Sequence, residues 1–317
     1  MLRNIIGIGE TVLDIIFRQD KPQSAVPGGS TFNALISLGR MLPDAYVAMI
    51  TETGDDHIGQ IITNFMRDNH VSTDLVCIHP GTQSHLSMAF LDADSNAQYE
   101  FYKDHAHAQL QVPDHLTFTA TDIVLFGSFF AVNPVLRSVT RPLLQAAHDA
   151  GAVLYYDINF RQSHVKDIPD VLPNIIDNME LATVVRGSAE DFGYLFGTTD
   201  ARKVYRQHIR QHCPLFICTD GAKATHLFLP NPVGESFVEV VVPVPHIDQV
   251  VSTIGAGDNF NAGFIYGLVS TGMQRADLLT PDMGCGSPLM HIVEGAQRCS
   301  AHVCQRLDNY VDLTFRP

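Results

Sequence analysis

Residues 254–260 read Ile-Gly-Ala-Gly-Asp-Asn-Phe. Gly255 and Gly257 would let the backbone come close to a ligand without Cβ interference. Phe260, Phe264, Ile265 and Leu268 then recur at helical spacing, so a helix starts here. The first amides of a helix have no intrahelical acceptor, and its dipole is positive at that end. A phosphate oxygen would be well placed there. Asp258 falls in the first turn, where a carboxylate could act as a base beside the anion. Taken alone, the stretch supports a second reading equally well: a tight turn whose aspartate only complements the dipole.

The elements that must position these residues can be read from hydrophobic spacing. Residues 3–9 read as a first buried strand. Residues 31–42 have helical spacing, with Phe32, Leu35, Ile36, Leu38 and Leu42 on one face and Ser30 as the expected N-cap. Strand and helix patterns then alternate to the C-terminal third, which predicts an open, mostly parallel sheet with helices on both faces. One segment breaks the rhythm. Residues 85–103 show two strand-like runs around Asp-Ala-Asp-Ser-Asn-Ala, a hairpin signal. With residues around 12–24 it is expected to form a small β lid on a single α/β domain spanning residues 1–317.

Composition narrows the function classes. The chain has 317 residues, 45% hydrophobic and 17% charged, with a formal net charge of −14. That balance argues against nucleic acid or an anionic membrane as the main target. A small anion stays open, because backbone amides and a metal ion supply local positive charge. The six cysteines include no C-x-x-C pair, which fits reduced thiols in a cytoplasmic protein. Among 15 histidines the close cluster is His105-Ala106-His107, with no third ligand at a familiar spacing; a surface loop is expected. No segment reads as a signal peptide or a membrane span. The stretch Gly-Ile-Gly-Glu-Thr-Val lacks the third glycine of a dinucleotide fingerprint, which ranks an oxidoreductase low.

Several blocks together resemble one family. "STIGAGDNFNAGFIYGL" resembles the C-terminal signature of the PfkB, or ribokinase-like, sugar kinases, and "VPGGSTFNALISLG" their N-terminal glycine pair followed by asparagine. "GETVLDI", "SMAFLDADSNAQYEFYKD", "YYDINFR", "VVRGSAEDFGYLFG" and "CTDGAKATHLF" follow in the family's order over nearly the whole chain. The resemblance implies a ribokinase-like three-layer α/β/α fold and ATP-dependent phosphorylation of a sugar hydroxyl, most like the fructokinase and 2-keto-3-deoxygluconate kinase branch. A nucleoside kinase, or a sugar-binding regulator without catalysis, is the alternative.

The same resemblance implies roles for residues. Asp258 would be the general base, and the amides of Gly255, Ala256 and Gly257 the anion hole. Asp14, Gly28, Gly29 and Asn33 would bind the sugar, helped by Phe90, Tyr102 and Lys103 from the lid and by Arg161. Thr219, Gly221, Lys223 and Ser188 would line the ATP site, and Asp191 would organise Mg²⁺ through water. Arg161 has a structural alternative, an ion pair with Asp157. Lys103 stands where many of this branch carry arginine, and a lysine cannot grip a carboxylate in bidentate fashion; that favours a neutral sugar. Ser252 replaces the aspartate that usually opens the signature, which weakens the case for an activating monovalent cation. The partners implied are a small sugar and ATP, with a homodimer through the lid.

Overall fold

A computed structural model describes residues 3–91, 97–102, 110–230, 237–280 and 287–317. The expected alternation is present. β1 (Ile5–Ile8), β4 (Val47–Gly54), β5 (Val76–His79), β8 (Ile123–Gly127), β9 (Val153–Asp157), β10 (Val184–Ser188) and β11 (Leu215–Asp220) pair in parallel. The antiparallel strands β12 (Ala224–Pro230) and β13 (Phe237–Pro243) extend one edge. The nine-stranded order is β13-β12-β11-β10-β9-β8-β1-β4-β5. β1, β8 and β9 are buried along their whole length, as strands covered on both faces must be.

Two apolar cores sandwich the sheet. One is formed with α1 (Ser30–Met41), α2 (His57–Asp68), α7 (Ala256–Thr271), α8 (Arg275–Leu279) and α9 (Pro288–Cys304). The other is formed with α3 (Arg137–Asp149), α4 (Ile168–Leu181), α5 (Ala189–Phe196) and α6 (Ala201–Val204). Among the described residues, no helix is long and apolar enough to cross a membrane. The five described cysteines are free thiols; Cys285, His105 and His107 lie outside the described residues.

The lid is a separate four-stranded sheet, ordered β3-β2-β6-β7. Its strands are β2 (Val12–Arg18), β3 (Lys21–Gly28), β6 (Leu86–Leu91) and β7 (Ala97–Tyr102). The expected boundary near residue 24 extends to Gly28. Pro22 and Pro27 do not prevent the strand, because β3 lies at an edge where fewer ladder donors are needed. β2 pairs in parallel with β6, placing Asp14 beside Ser87 and Phe17 beside Phe90.

One local expectation fails. Ser30 is not the N-cap of α1. Gly29 holds that place at φ 124°, with no side-chain cap. The backbone there is one that glycine adopts readily, and this releases the Ser30 hydroxyl for another partner.

Candidate active site

The first turn of α7 lies beside the C-terminal parts of β9 and β10, where Asn261 reaches Asp157 and Gly257 meets Arg186; open α/β sheets bind ligands at such strand ends. Gly255 caps the helix in the left-handed region at φ 78°. Helix geometry leaves the amides of Gly257 and Asp258 without intrahelical acceptors. The Ala256 amide differs from expectation: it donates to the Thr253 carbonyl at 3.2 Å, so it closes the turn rather than standing open to an anion.

Four consecutive side chains fasten this turn to four parts of the molecule. Asp258 is 8% exposed and accepts from Ser30 Oγ and from Asn33 Nδ2, both at 2.8 Å. Asn259 donates to the Gly255 and Asn309 carbonyls and accepts from Ser37 Oγ at 2.6 Å. The ring of Phe260 lies under the Arg186 guanidinium. Asn261 donates to Asp157 Oδ2 at 2.7 Å and accepts from the Tyr155 hydroxyl. The turn is thus fixed by α1, the C-terminal segment, β10 and β9. Burial raises the carboxyl pKa of Asp258; the bonds from Asn33 and Ser30 pull it down, Asp157 pushes it up again, and Arg161 lowers it.

The residues expected to bind sugar converge partly. A Cβ on Gly28 would lie 2.1 Å from Asp14 Oδ2, and one on Gly29 would lie 2.3 Å from the Glu10 carbonyl. Gly28 is therefore needed for Asp14 to sit where it does, and Gly29 for the backbone to pass the Glu10 carbonyl. Asp14 is raised to about 6, first by desolvation; Ser87 acts the other way, and Asp258 and Glu10 add to the rise. Asn33 Oδ1 is buried without a hydrogen-bond partner, an acceptor that a sugar hydroxyl would satisfy.

The lid assignments need correction. The register puts Ser87, Ala89 and Phe101 on the same lid face as Asp14. Phe90 and Tyr102 fall on the opposite face, because side chains alternate along a strand. Phe90 stacks on Phe17 at 4.9 Å, and Tyr102 is half exposed. Lys103 lies outside the described residues.

Arg161 is exposed after β9 and acts electrostatically on Asp258. Its expected alternative partner, Asp157, instead pairs with Arg186 at 3.0 Å. Reading the sequence passed over Arg186, although an arginine inside an apolar strand was a usable signal. It also passed over Ser128 and Asn159. These have φ of 54° and 38° at the ends of β8 and β9, joined by a 2.7 Å hydrogen bond. Non-glycine residues held there tend to cluster at functional sites.

Of the residues expected at the nucleotide, Thr219 accepts at Oγ1 from Arg186 Nη2 at 2.8 Å. Gly221 turns the chain at φ 53°, with open space where a Cβ would be. The ammonium of Lys223 is exposed and pairs with Asp220. Ser188 caps α5 and forms a capping box with Asp191, whose Oδ2 accepts from both the amide and the hydroxyl of Ser188. One carboxylate oxygen is therefore committed. That suits holding a hydrated Mg²⁺ at one remove better than direct ligation. No cluster of three or more His, Cys, Asp and Glu able to hold a metal occurs among the described residues.

This architecture is that of the ribokinase-like α/β kinases. The fold matches a fructokinase from Vibrio cholerae bound to fructose, ADP and calcium ion, with a TM-score of 0.80, 22% identity and coverage of 98% of this chain and 96% of that one. It also matches an aminoimidazole riboside kinase from Salmonella enterica complexed with its riboside and an ATP analogue (TM-score 0.75, 20% identity, covering 98% and 97%). In sequence, a fructokinase from Vibrio alginolyticus is 25% identical over 81% of this chain and 81% of its own length. The pfkB family carbohydrate kinase model matches residues 3–313. The chain belongs to the pfkB family of carbohydrate kinases and is an ATP-dependent phosphotransferase.

Proposed function

We propose that this kinase phosphorylates a hydroxyl of a neutral sugar, with fructose as the first candidate. The observation that carries the proposal is the Asp258 carboxylate, held at 2.8 Å by Ser30 and Asn33 at the start of α7. The close approach of Gly28 to Asp14 and the unpartnered Asn33 oxygen support a sugar beside it. Fructokinases among the relatives in sequence and fold support the choice.

In this reading Asp14 and Asn33 orient the sugar through hydrogen bonds to its hydroxyls. Asp258 Oδ accepts the proton of the attacking hydroxyl as its oxygen bonds to the γ-phosphorus. The bond to the β-phosphate oxygen breaks and ADP leaves. Burial makes Asp258 a stronger base than an ordinary carboxylate, which helps a proton transfer at neutral pH. The open amides of Gly257 and Asp258 face the charge that builds on the phosphoryl oxygens. Thr219, Gly221, Lys223 and Ser188 line the nucleotide side, and Asp191 would hold Mg²⁺ through water. When bound, Mg²⁺ would neutralise phosphate charge.

The test is a coupled ADP-release assay over fructose, ribose, ketodeoxygluconate, tagatose 6-phosphate and nucleosides. Fructose should give the highest kcat/KM. Asp258→Asn should lower kcat by about 10³-fold or more while keeping the fold. Preference for a phosphorylated or carboxylated sugar, or an Asp258→Asn variant with near-normal turnover, would overturn the reading.

A further inference from the structure

Arg186 is 5% exposed on an interior strand. Burying a cation is costly unless it is paired and hydrogen-bonded. Asp157 supplies the ion pair, and its second oxygen is held by Asn261, while the Arg186 Nε is buried without a partner. The guanidinium does more than pair, however. Its Nη2 donates to Thr219 Oγ1 on β11 at 2.8 Å. Its two terminal nitrogens lie 3.0 Å from where a Cβ on Gly257 would stand. Its carbon sits 5.7 Å from the centre of the Phe260 ring. One planar group therefore touches β9, β11 and the first turn of α7.

We propose that Arg186 is a positioning residue for phosphoryl transfer, acting through Thr219 and the Gly257 turn. The proposal rests on the reading that this turn meets the transferred phosphoryl group. Because the Thr219 oxygen accepts from Arg186, its own hydrogen must be donated elsewhere. That leaves the hydroxyl free to donate at the C-terminal end of β11, where the proposed function puts the nucleotide. The turn carrying the open amides rests on the same guanidinium, so the two halves of the phosphate site share one rigid support. Lysine, a point charge, could not present fixed donors to Asp157 and Thr219 together. Burial opposes the charge, but the Asp157 carboxylate first, with Asp191 further off, holds the Arg186 pKa above its ordinary value.

The experiment compares Arg186→Lys, Arg186→Met and the double variant Asp157→Asn/Arg186→Met, which removes both buried charges together. Steady-state kinetics are paired with sugar-free ATP binding by calorimetry and with thermal melts. Arg186→Met and the double variant should each lose about 100-fold in kcat and at least about 10-fold in ATP affinity. The sugar KM should move by less than about 3-fold. Arg186→Lys should fall between, at about a 10-fold loss in kcat. Three results would overturn the proposal: wild-type kcat and ATP affinity in Arg186→Met; recovery of activity in the double variant, which would reduce Arg186 to a counterion; or wild-type kcat in Arg186→Lys. The lysine variant keeps the buried charge paired, so it decides the matter if the other two do not fold. A wild type that binds ATP but ignores fructose would sink the substrate reading and leave this one to the calorimetry.

Discussion

Asp14 sits where function and stability pull in opposite directions. Desolvation lifts its carboxyl to about 6, against an ordinary value of 3.8. A folded-state pKa above the unfolded one means that the folded protein holds this proton more tightly. The associated stabilisation is full below pH 3.8 and is lost as pH rises through about 6. At pH 7.5 the ionised carboxylate therefore costs stability, at most about 2–3 kcal/mol. Asp14→Asn should raise the melting temperature by several degrees at pH 7.5 and by much less at pH 4, while raising the sugar KM. Equal melting shifts at both pH values would refute the argument. Arg161 and Arg186 show what can be read at this scale. Arg161 was visible because it ends a recognisable block, and Asp157 was its obvious partner in sequence. Chain proximity does not decide pairing inside a sheet; register does, and β10 brings Arg186 beside Asp157 instead.

The first turn of α7 is the element that defines the site. Glycine at 257 is costly in a helix by about 1 kcal/mol relative to alanine, so something must require it. A Cβ there would press on the Arg186 guanidinium at 3.0 Å, a contact tight enough to displace it by a few tenths of an ångström. Gly257→Ala should therefore leave stability within about 1 kcal/mol of wild type, propensity offsetting the contact. It should lower kcat by about 10-fold as the turn and Arg186 separate. A variant with unchanged kcat would show that the glycine serves only packing. The glycines, the helix and the place of Asp258 in its first turn were legible, because each leaves a local signature; the burial of Asp258 was not. The partners of Asn259 and Asn261 were not: their acceptors lie on the C-terminal segment and on β9. The cap of α1 misled for a related reason. Ser30 is a good N-cap by type, but its hydroxyl is drawn to Asp258 from α7, 228 residues away in the chain.

For the molecule as a whole, alternation of strands and helices was enough to give the layers, and the hairpin signal was enough to place the lid. It was not enough to aim the lid's side chains, since a shift of one residue exchanges the two faces. With the register known, Phe17, Met88, Phe90 and Tyr102 share the face turned from Asp14. Phe17 and Phe90 are stacked and half-buried, and Tyr102 is half exposed. Glu100 shares this face, but the apolar patch of Phe17, Met88 and Phe90 on a thin sheet calls for a cover. A second copy of the lid meeting it by two-fold symmetry would bury the same residues on both sides. Light scattering should then give twice the chain mass at micromolar concentration. The double change Phe17→Ser/Phe90→Glu should shift it toward the monomer and raise the sugar KM, because each lid would lose the support that holds its Asp14 face over the sugar. A wild type that stays monomeric at tens of micromolar would end the dimer proposal. A monomeric variant with an unchanged sugar KM would keep the dimer but detach it from catalysis.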